Sequence, residues 1–352
     1  MSSHDLKPLP AETRSSLLSG HDWIALVFVA MTFLIPVFST NPQVLSQTNL
    51  ILIAATAALG VYIMQRLDLM SFAVPSFMAI GGYTVALISM KLHVTDVLIL
   101  AAAAFLMPAL CAIPLGSLIL RLKGVYFVLV TFVLTEIVQL LLFEAGPITG
   151  GANGLVGMPA VKLFGFELWD NPHVLLTTCG LAVLSFAITS LFTRTFRHEF
   201  AAIETNDVLA ESLGLAAWKY KAMAFSIAAG VSGLAGFALV NMLMTAHPSS
   251  FAPMSSVNYI TYTIVGGKAS ILGTLIGALL LVSATDYFAL SGEMSPGLFG
   301  LLIIIVTLVA RGGVVGVVSG LLYRLVGKTT PLNTGETGHA AQEHANQKEG
   351  RP

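Results

Sequence analysis

Glu136 is the residue whose type and setting most invite chemistry. It stands within the apolar run LVTFVLTEIVQLLLF (residues 129–143), with Gln139 about one helical turn further on. A carboxylate in such a run is costly to hold in hydrocarbon, and by default it marks a proton, ion or solute site. The competing reading is that it hydrogen-bonds inside a helix bundle and orients its neighbours. Proton-coupled chemistry needs companions, and the nearest acids, Asp68 and Asp286, fall by the ends of apolar runs. No Gly-x-Ser-x-Gly elbow, P-loop or His-Glu-x-x-His is present, so the sequence encodes no catalytic residue, cofactor site or metal site. Any energy source must be another chain. Cys111 and Cys179 both lie in apolar runs and read as packing residues. His339 and His344 read as solvated side chains of a polar tail.

The elements that must position Glu136 are membrane spans. Of the 352 residues, 56% are hydrophobic and 10% charged, against about 25% charged in soluble domains. The apolar stretches lack the alternation of barrel strands and reach the roughly 20 residues that cross a hydrocarbon core of about 30 Å. The expectation is an all-α, polytopic transmembrane helix bundle. Spans fit at Trp23–Phe38, Leu50–Met64, Leu69–Met90, Val97–Leu120, Val125–Phe143, Val174–Phe192, Ala222–Met244, Val257–Val265, Ile271–Leu290 and Leu298–Ala310. That is about ten, with eight to ten open. Val257–Val265 is too short to cross alone, so it is part of a longer tilted helix or half of a broken one. Leu69–Met90 holds Pro75, Gly81 and Gly82, which interrupt helices where the backbone is buried or lines a cavity.

Charge placement orients the bundle. With ten spans and both termini cytoplasmic, all of the 17 Lys and Arg except Lys91 and Lys162 fall inside, as the positive-inside rule requires. The net charge of −1 gives no reason to expect a nucleic-acid partner; membrane lipid is the expected surround. The chain then divides into a cytoplasmic N-terminal segment (1–22), a membrane domain (23–328) with an external loop at 144–173, and a disordered cytoplasmic tail (329–352).

The one long polar segment between spans, residues 193–221, reads TRTFRHEFAAIETNDVLAESLGLAAWKYK. Its acids Glu199, Glu204, Asp207 and Glu211 keep it in water. Ala201, Ala202, Leu209, Leu213 and Leu215 recur at roughly helical intervals, which fits short amphipathic helices with one face for a partner. A plain solvated loop fits the composition equally well.

Glycines mark close approaches. AIGGYT (79–84) and IVGGKA (264–269) place Gly81, Gly82, Gly266 and Gly267 in the third and eighth spans. Five spans per half would invert the second copy, an arrangement found in transporters; two unrelated glycine-containing helix breaks are the other reading. Gly230, Gly233 and Gly236, and Gly273 with Gly277, permit close helix packing. The external ITGGANGLVGMP (148–159), with Gly150, Gly151, Asn153 and Gly154, is a surface turn, a folded plug or a docking loop.

Taken in order, GVYFVLVTFVLTEIVQLLL, TGGANGLVGMP, AAIETNDVLAESLGL, KAMAFSIAAGVSGLAGFAL and YTIVGGKASILGTLIGALLL resemble a permease subunit of the branched-chain amino acid ABC transporter family, over about residues 54–311. The loop points to the second of its two permease types. The resemblance implies a bacterial inner-membrane importer of branched-chain or other amino acids, or similar small polar or carboxylate solutes, working by alternating access. The chain would pair with a related permease subunit, two cytoplasmic ABC ATPase subunits and an extracytoplasmic solute-binding protein. It further implies that Ala202, Ala210, Glu211, Leu213 and Gly214 form the ATPase-coupling segment. Glu136 and the four span glycines remain candidates for the pathway or for helix packing; a secondary carrier centred on Glu136 is the alternative function. Two departures stand out: QRLDLMSFAVPSFMAIGGY replaces the family's usual Gly-rich run before the third span, and AAIE replaces its commoner Ala-Ile-Arg.

Overall fold

The computed structural model describes residues 31–34, 41–163, 165–267, 270–289, 294–309 and 313–314. Segment 1–22, the first expected span except residues 31–34, Lys268 and the tail 329–352 lie outside the described residues. In chain order the helices are α1 (Pro42–Gln65), α2 (Val74–Lys91), α3 (Val97–Ile119), α4 (Val125–Glu144), α5 (Asn171–Thr195), α6 (Arg197–Thr205), α7 (Asp207–Ser212), α8 (Ala217–Leu243), α9 (Ser255–Gly266), α10 (Ile271–Ala289) and α11 (Ser295–Val309). Among the described residues six of them, α1, α3, α4, α5, α8 and α10, are long and apolar enough to cross a membrane. The all-α membrane bundle is therefore observed.

Local chemistry sets where the spans begin. Asn41 caps α1 by accepting the Gln43 N–H, and Pro42 occupies the first turn, where its missing N–H costs nothing. Asp96 caps α3, accepting from the N–H groups of Leu98 and Ile99. Gly124, at φ 58°, turns the chain into α4.

Helix α8 is the centre of the bundle, packed by α1, α2, α3 and α5. Its most apolar window is 78% buried, whereas that of α4 is 17% buried, which puts α4 on the rim. Small residues make the centre possible. A Cβ on Gly236 would lie 1.9 Å from the Met78 carbonyl oxygen, and one on Gly233 would lie 2.0 Å from that of Ala104. Pro108 has no N–H to give that Ala104 carbonyl, and its ring also meets Gly233.

Gly81 and Gly82 do not interrupt α2, which runs unbroken from Val74; they are where it meets Gly233, Gly236 and Val240 of α8. Gly266 instead ends α9, followed by Gly267 at φ 109°. At 12 residues, α9 rises only about 18 Å, and the chain reaches it through the short turn Pro248–Phe251. Before α2, residues 66–73 are likewise non-helical, with Asp68 at φ 55° and Leu69, Ser71 and Ala73 buried.

The connections gather at two ends. The α1–α2, α3–α4 and α5–α8 connections meet through the ion pairs Arg66–Glu204 and Lys123–Asp207. At the other end Asp96 bridges Lys162, and β1 (Leu155–Val156) pairs with β4 (Thr245–Ala246). A second small ladder there joins β2 (Lys162–Leu163) to β3 (Phe166–Glu167).

Candidate functional site

Three places collect the residues singled out by the sequence. The first is the α5–α8 connection. Phe192, Phe196, Phe200 and Tyr220 form an aromatic cluster that folds α6 back beneath the bundle, with ring centroids 5.3 to 6.2 Å apart. Asn206 then caps α7, its side-chain oxygen accepting from the N–H groups of Val208 and Leu209. The exit is a Schellman turn: Leu215 N–H donates to the Ala210 carbonyl and Gly214 N–H to that of Glu211, with Gly214 at φ 90°. Glycine is needed there because a Cβ strains that conformation.

The faces of this connection divide sharply. Ala210 is buried and Ala202 half-buried, so both pack against the chain itself; Glu211, Leu213 and Gly214 are exposed. Leu213 is 78% exposed and is joined by Val208, Leu209 and Trp218, each more than half exposed. Val208 did not stand out in the sequence, since a six-residue helix is too short to show a period, and Trp218 sits in the first turn of the long apolar α8. Glu204 and Asp207 turn the other way. Glu204 reaches Arg66 at 4.0 Å, and Asp207 takes Lys123 at 3.3 Å together with the buried Lys221.

The second place is the interior, where the two non-helical stretches meet. Thr135 and Ser256 both donate to the Phe72 carbonyl, at 2.9 and 2.7 Å, and the Phe72 N–H donates to Thr131 at 3.1 Å. Hydroxyls from α4 and α9 thus replace the helical bonds that Phe72 lacks. Gln139 of α4 donates to the Pro248 carbonyl, and the Phe251 ring lies against Tyr83. Glu136 is half-buried on α4 beside Thr135 and forms no ion pair among the described residues. Gly60, Ser71, Phe77, Phe225 and Ser232 line an interior cavity of about 10 Å³, room for roughly one water molecule.

The third is the glycine-rich loop that follows α4. Thr149 donates to the Leu142 and Ala145 carbonyls, and Gly151 N–H donates to the Thr149 hydroxyl. Gly150, Gly151, Gly154 and Gly157 all have positive φ. Two of these glycines are also required by space: a Cβ on Gly150 would lie 2.1 Å from the Gly154 carbonyl oxygen, and one on Gly154 would lie 2.5 Å from that of Ala246. His247 Nδ1 accepts from Ser249 N–H, so Nε2–H donates to the Ala152 carbonyl beside Asn153. The loop is thus folded onto the segment leading into α9. Outside it, Lys162 hydrogen-bonds Glu167 and holds that carboxyl below the usual carboxylate range.

Comparison with known proteins agrees with this architecture. The family described as branched-chain amino acid transport system, permease component, matches residues 43–311. The high-affinity branched-chain amino acid transport system permease protein LivM of Escherichia coli K12 is 28% identical over 322 residues, covering 84% of this chain and 75% of that protein. LivM of Salmonella typhimurium LT2 is 28% identical over 332 residues with the same coverage. No solved structure matches the chain significantly.

Proposed function

This chain belongs to the family of branched-chain amino acid transport permease components, and from that premise we propose that it is the membrane permease subunit of an ATP-driven ABC importer. Its solutes are branched-chain amino acids, or other amino acids and small carboxylate solutes of similar size. Membership in a family of transport permeases makes it a non-enzymatic subunit of a multi-pass membrane protein system. Its ATP is hydrolysed by two cytoplasmic ABC ATPase subunits, and an extracytoplasmic binding protein delivers the solute at the end that carries the 144–173 loop. The setting is a bacterial inner membrane with both termini cytoplasmic.

The observation that carries this reading is the water-exposed apolar cluster of Val208, Leu209, Leu213 and Trp218 on a chain that has no nucleotide motif of its own. It is a seat for another subunit, with Glu211 and Gly214 beside it and Ala202 and Ala210 packing it from beneath. A second permease fits against α4. That helix is the least buried of the spanning helices, yet it carries Glu136, which hydrocarbon does not accept. A sister subunit covering α4 would put Glu136 on a polar path between the two permeases.

Packing supports a count of ten spans in two inverted five-span halves. In the first half α2 and α3 lie on α8; in the second α9 and α10 lie on α1. Each half thus rests its third and fourth helices on the other half's second helix. Gly81 and Gly82 serve the first crossing, and Gly266 packs on Gly273 and Gly277. Rigid-body rocking of such halves closes one end as the other opens.

The test is reconstitution in liposomes with the sister permease, the ATPases and the binding protein. Uptake of leucine should require ATP and all the subunits, and Leu213→Asp should reduce ATPase association at least about tenfold, a loss of about 1.4 kcal/mol or more, with insertion normal. ATP-independent uptake by this chain alone, stopped by Glu136→Gln, would overturn the reading in favour of a secondary carrier.

A further inference from the structure

We infer that Asp207 is a positioning residue for energy coupling, drawing α8 and the α3–α4 turn onto the segment that receives the ATPase, while Glu204 does the same for α1. This inference rests on the ATPase-docking reading above and assigns to these two acids the passage of motion from that surface into the bundle.

The covalent chain joins the segment only to α5 and α8. The ion pairs add two further elements, because Arg66 follows the last turn of α1 and Lys123 lies in the α3–α4 connection. Asp207 is the branch point. Its Oδ2 takes both Lys221, from the first turns of α8, and Lys123. The Lys221 side chain is only 9% exposed and that of Asp207 20%, so water screens this pair poorly and neither charge can be left alone cheaply. The other oxygen, Oδ1, is buried with no hydrogen-bond partner among the described residues. Asp207 is therefore held by its lysines, not by a lattice of neutral donors.

The orientation matters because the two functions separate on one short helix. Along α7, Val208, Leu209 and Glu211 face water while Asp207 and Ala210 face the bundle. A push on the exposed face reaches the α3–α4 turn through the contacts of the inner face, and reaches α8 through those contacts as well as through the chain. Of those contacts, Ala210 supplies only a methyl group. At position 204 a glutamate meets Arg66 of its own chain.

The experiment compares Asp207→Asn, Lys221→Gln and the double variant in the reconstituted transporter, with Leu213→Asp as reference. Each is scored for ATPase co-purification and for ATP hydrolysed per solute imported. We expect Asp207→Asn to keep ATPase association within about twofold of wild type while raising ATP consumed per solute at least fivefold. The double variant, which leaves no unpaired buried charge, should insert normally, stay uncoupled, and be no worse than the poorer single variant. Unchanged ATP per solute in both Asp207→Asn and the double variant would overturn the inference, as would losses that simply multiply. If Asp207→Asn inserts poorly, the double variant alone decides. Should Leu213→Asp retain full ATPase association, the docking reading fails instead, and the two failures are told apart by that arm.

Discussion

At the end proposed to be external the segments around Gly154 and Ala246 are joined through their backbones, whereas at the end proposed to be cytoplasmic the segment around Asp207 is joined through charged side chains. Leu155–Val156 pairs with Thr245–Ala246, Met158 N–H donates to the Met244 carbonyl, and Gly154 abuts Ala246. These contacts leave no room for adjustment, since a shift breaks several hydrogen bonds together and meets backbone atoms. The cytoplasmic contacts are Arg66–Glu204, Lys123–Asp207 and Lys221–Asp207, which long side chains can follow through a tilt without separating. The bundle is thus joined through its backbone at one end and through charged side chains at the end where a partner is proposed to push. A machine that rocks needs one end to yield, and the chemistry of the joints says which.

The sharpest way to break this contrast is Gly154→Val. The site combines φ 64° with ψ −172°, a region essentially closed to other residues, and its Cβ would press on the Ala246 carbonyl. Strain and overlap together should cost more than about 2 kcal/mol locally. Uptake should fall at least tenfold, while ATPase co-purification stays within twofold of wild type. Equal loss of both would mean that the two ends are not separable and that the contrast is wrong.

A milder test uses salt. Side-chain ion pairs are screened as ionic strength rises, and backbone ladders are not. Lys123 is 67% exposed, and Arg66 and Glu204 are 23% and 29% exposed, so part of the cytoplasmic tie is within reach of counterions. Raising salt from about 0.1 to 1 M, which shortens the screening length from about 10 to 3 Å, should speed amide exchange across residues 197–212 by twofold to threefold. Exchange at Leu155, Val156 and Met158 should not change. Mass spectrometry of peptides from the two ends reads both in one sample.

How much of this was legible in the sequence depends on the range of the interaction. The helices α3, α4, α5, α8 and α10 follow from runs of apolar residues, and their boundaries agree with expectation to within a few residues at most ends. The cytoplasmic segment was visible as the one polar stretch between spans. What the sequence did not carry is direction. Ala210 inward and Leu213 outward is set by the docking of a six-residue helix, too short for a periodic signal. Asp207 reads as a solvated acid until Lys123 and Lys221 arrive from other elements. The Phe72 peptide, held by residues 59, 63 and 184 positions away, has no local signature at all. Glycines announced that something passes close, but not what: Gly81 and Gly82 suggested a break in α2 and proved to be its contact with α8.

The smallest effect comes from the external ion pair, and it is the most telling because it looks like the cytoplasmic ones. Lys162 and Glu167 lie 2.8 Å apart, closer than Arg66 and Glu204, but their side chains are 43% and 63% exposed. Exposed pairs contribute little. The lysine hydrogen bond depresses the Glu167 carboxyl, so whatever stability it contributes is present above the unfolded carboxylate's pKa and is lost as pH falls through the lower, folded value. Acidification should therefore remove a contribution already too small to matter, since the β1–β4 pairing next to it has no group that titrates there. Glu167→Gln should leave the melting temperature and uptake unchanged at neutral pH, and wild type and variant should remain alike on acidification to about pH 4, near ordinary carboxylate values. Thermal melts of both proteins in detergent at the two pH values check this. A drop approaching that of Gly154→Val would show that charge, not backbone, holds the external end, and the distinction between the two ends would collapse.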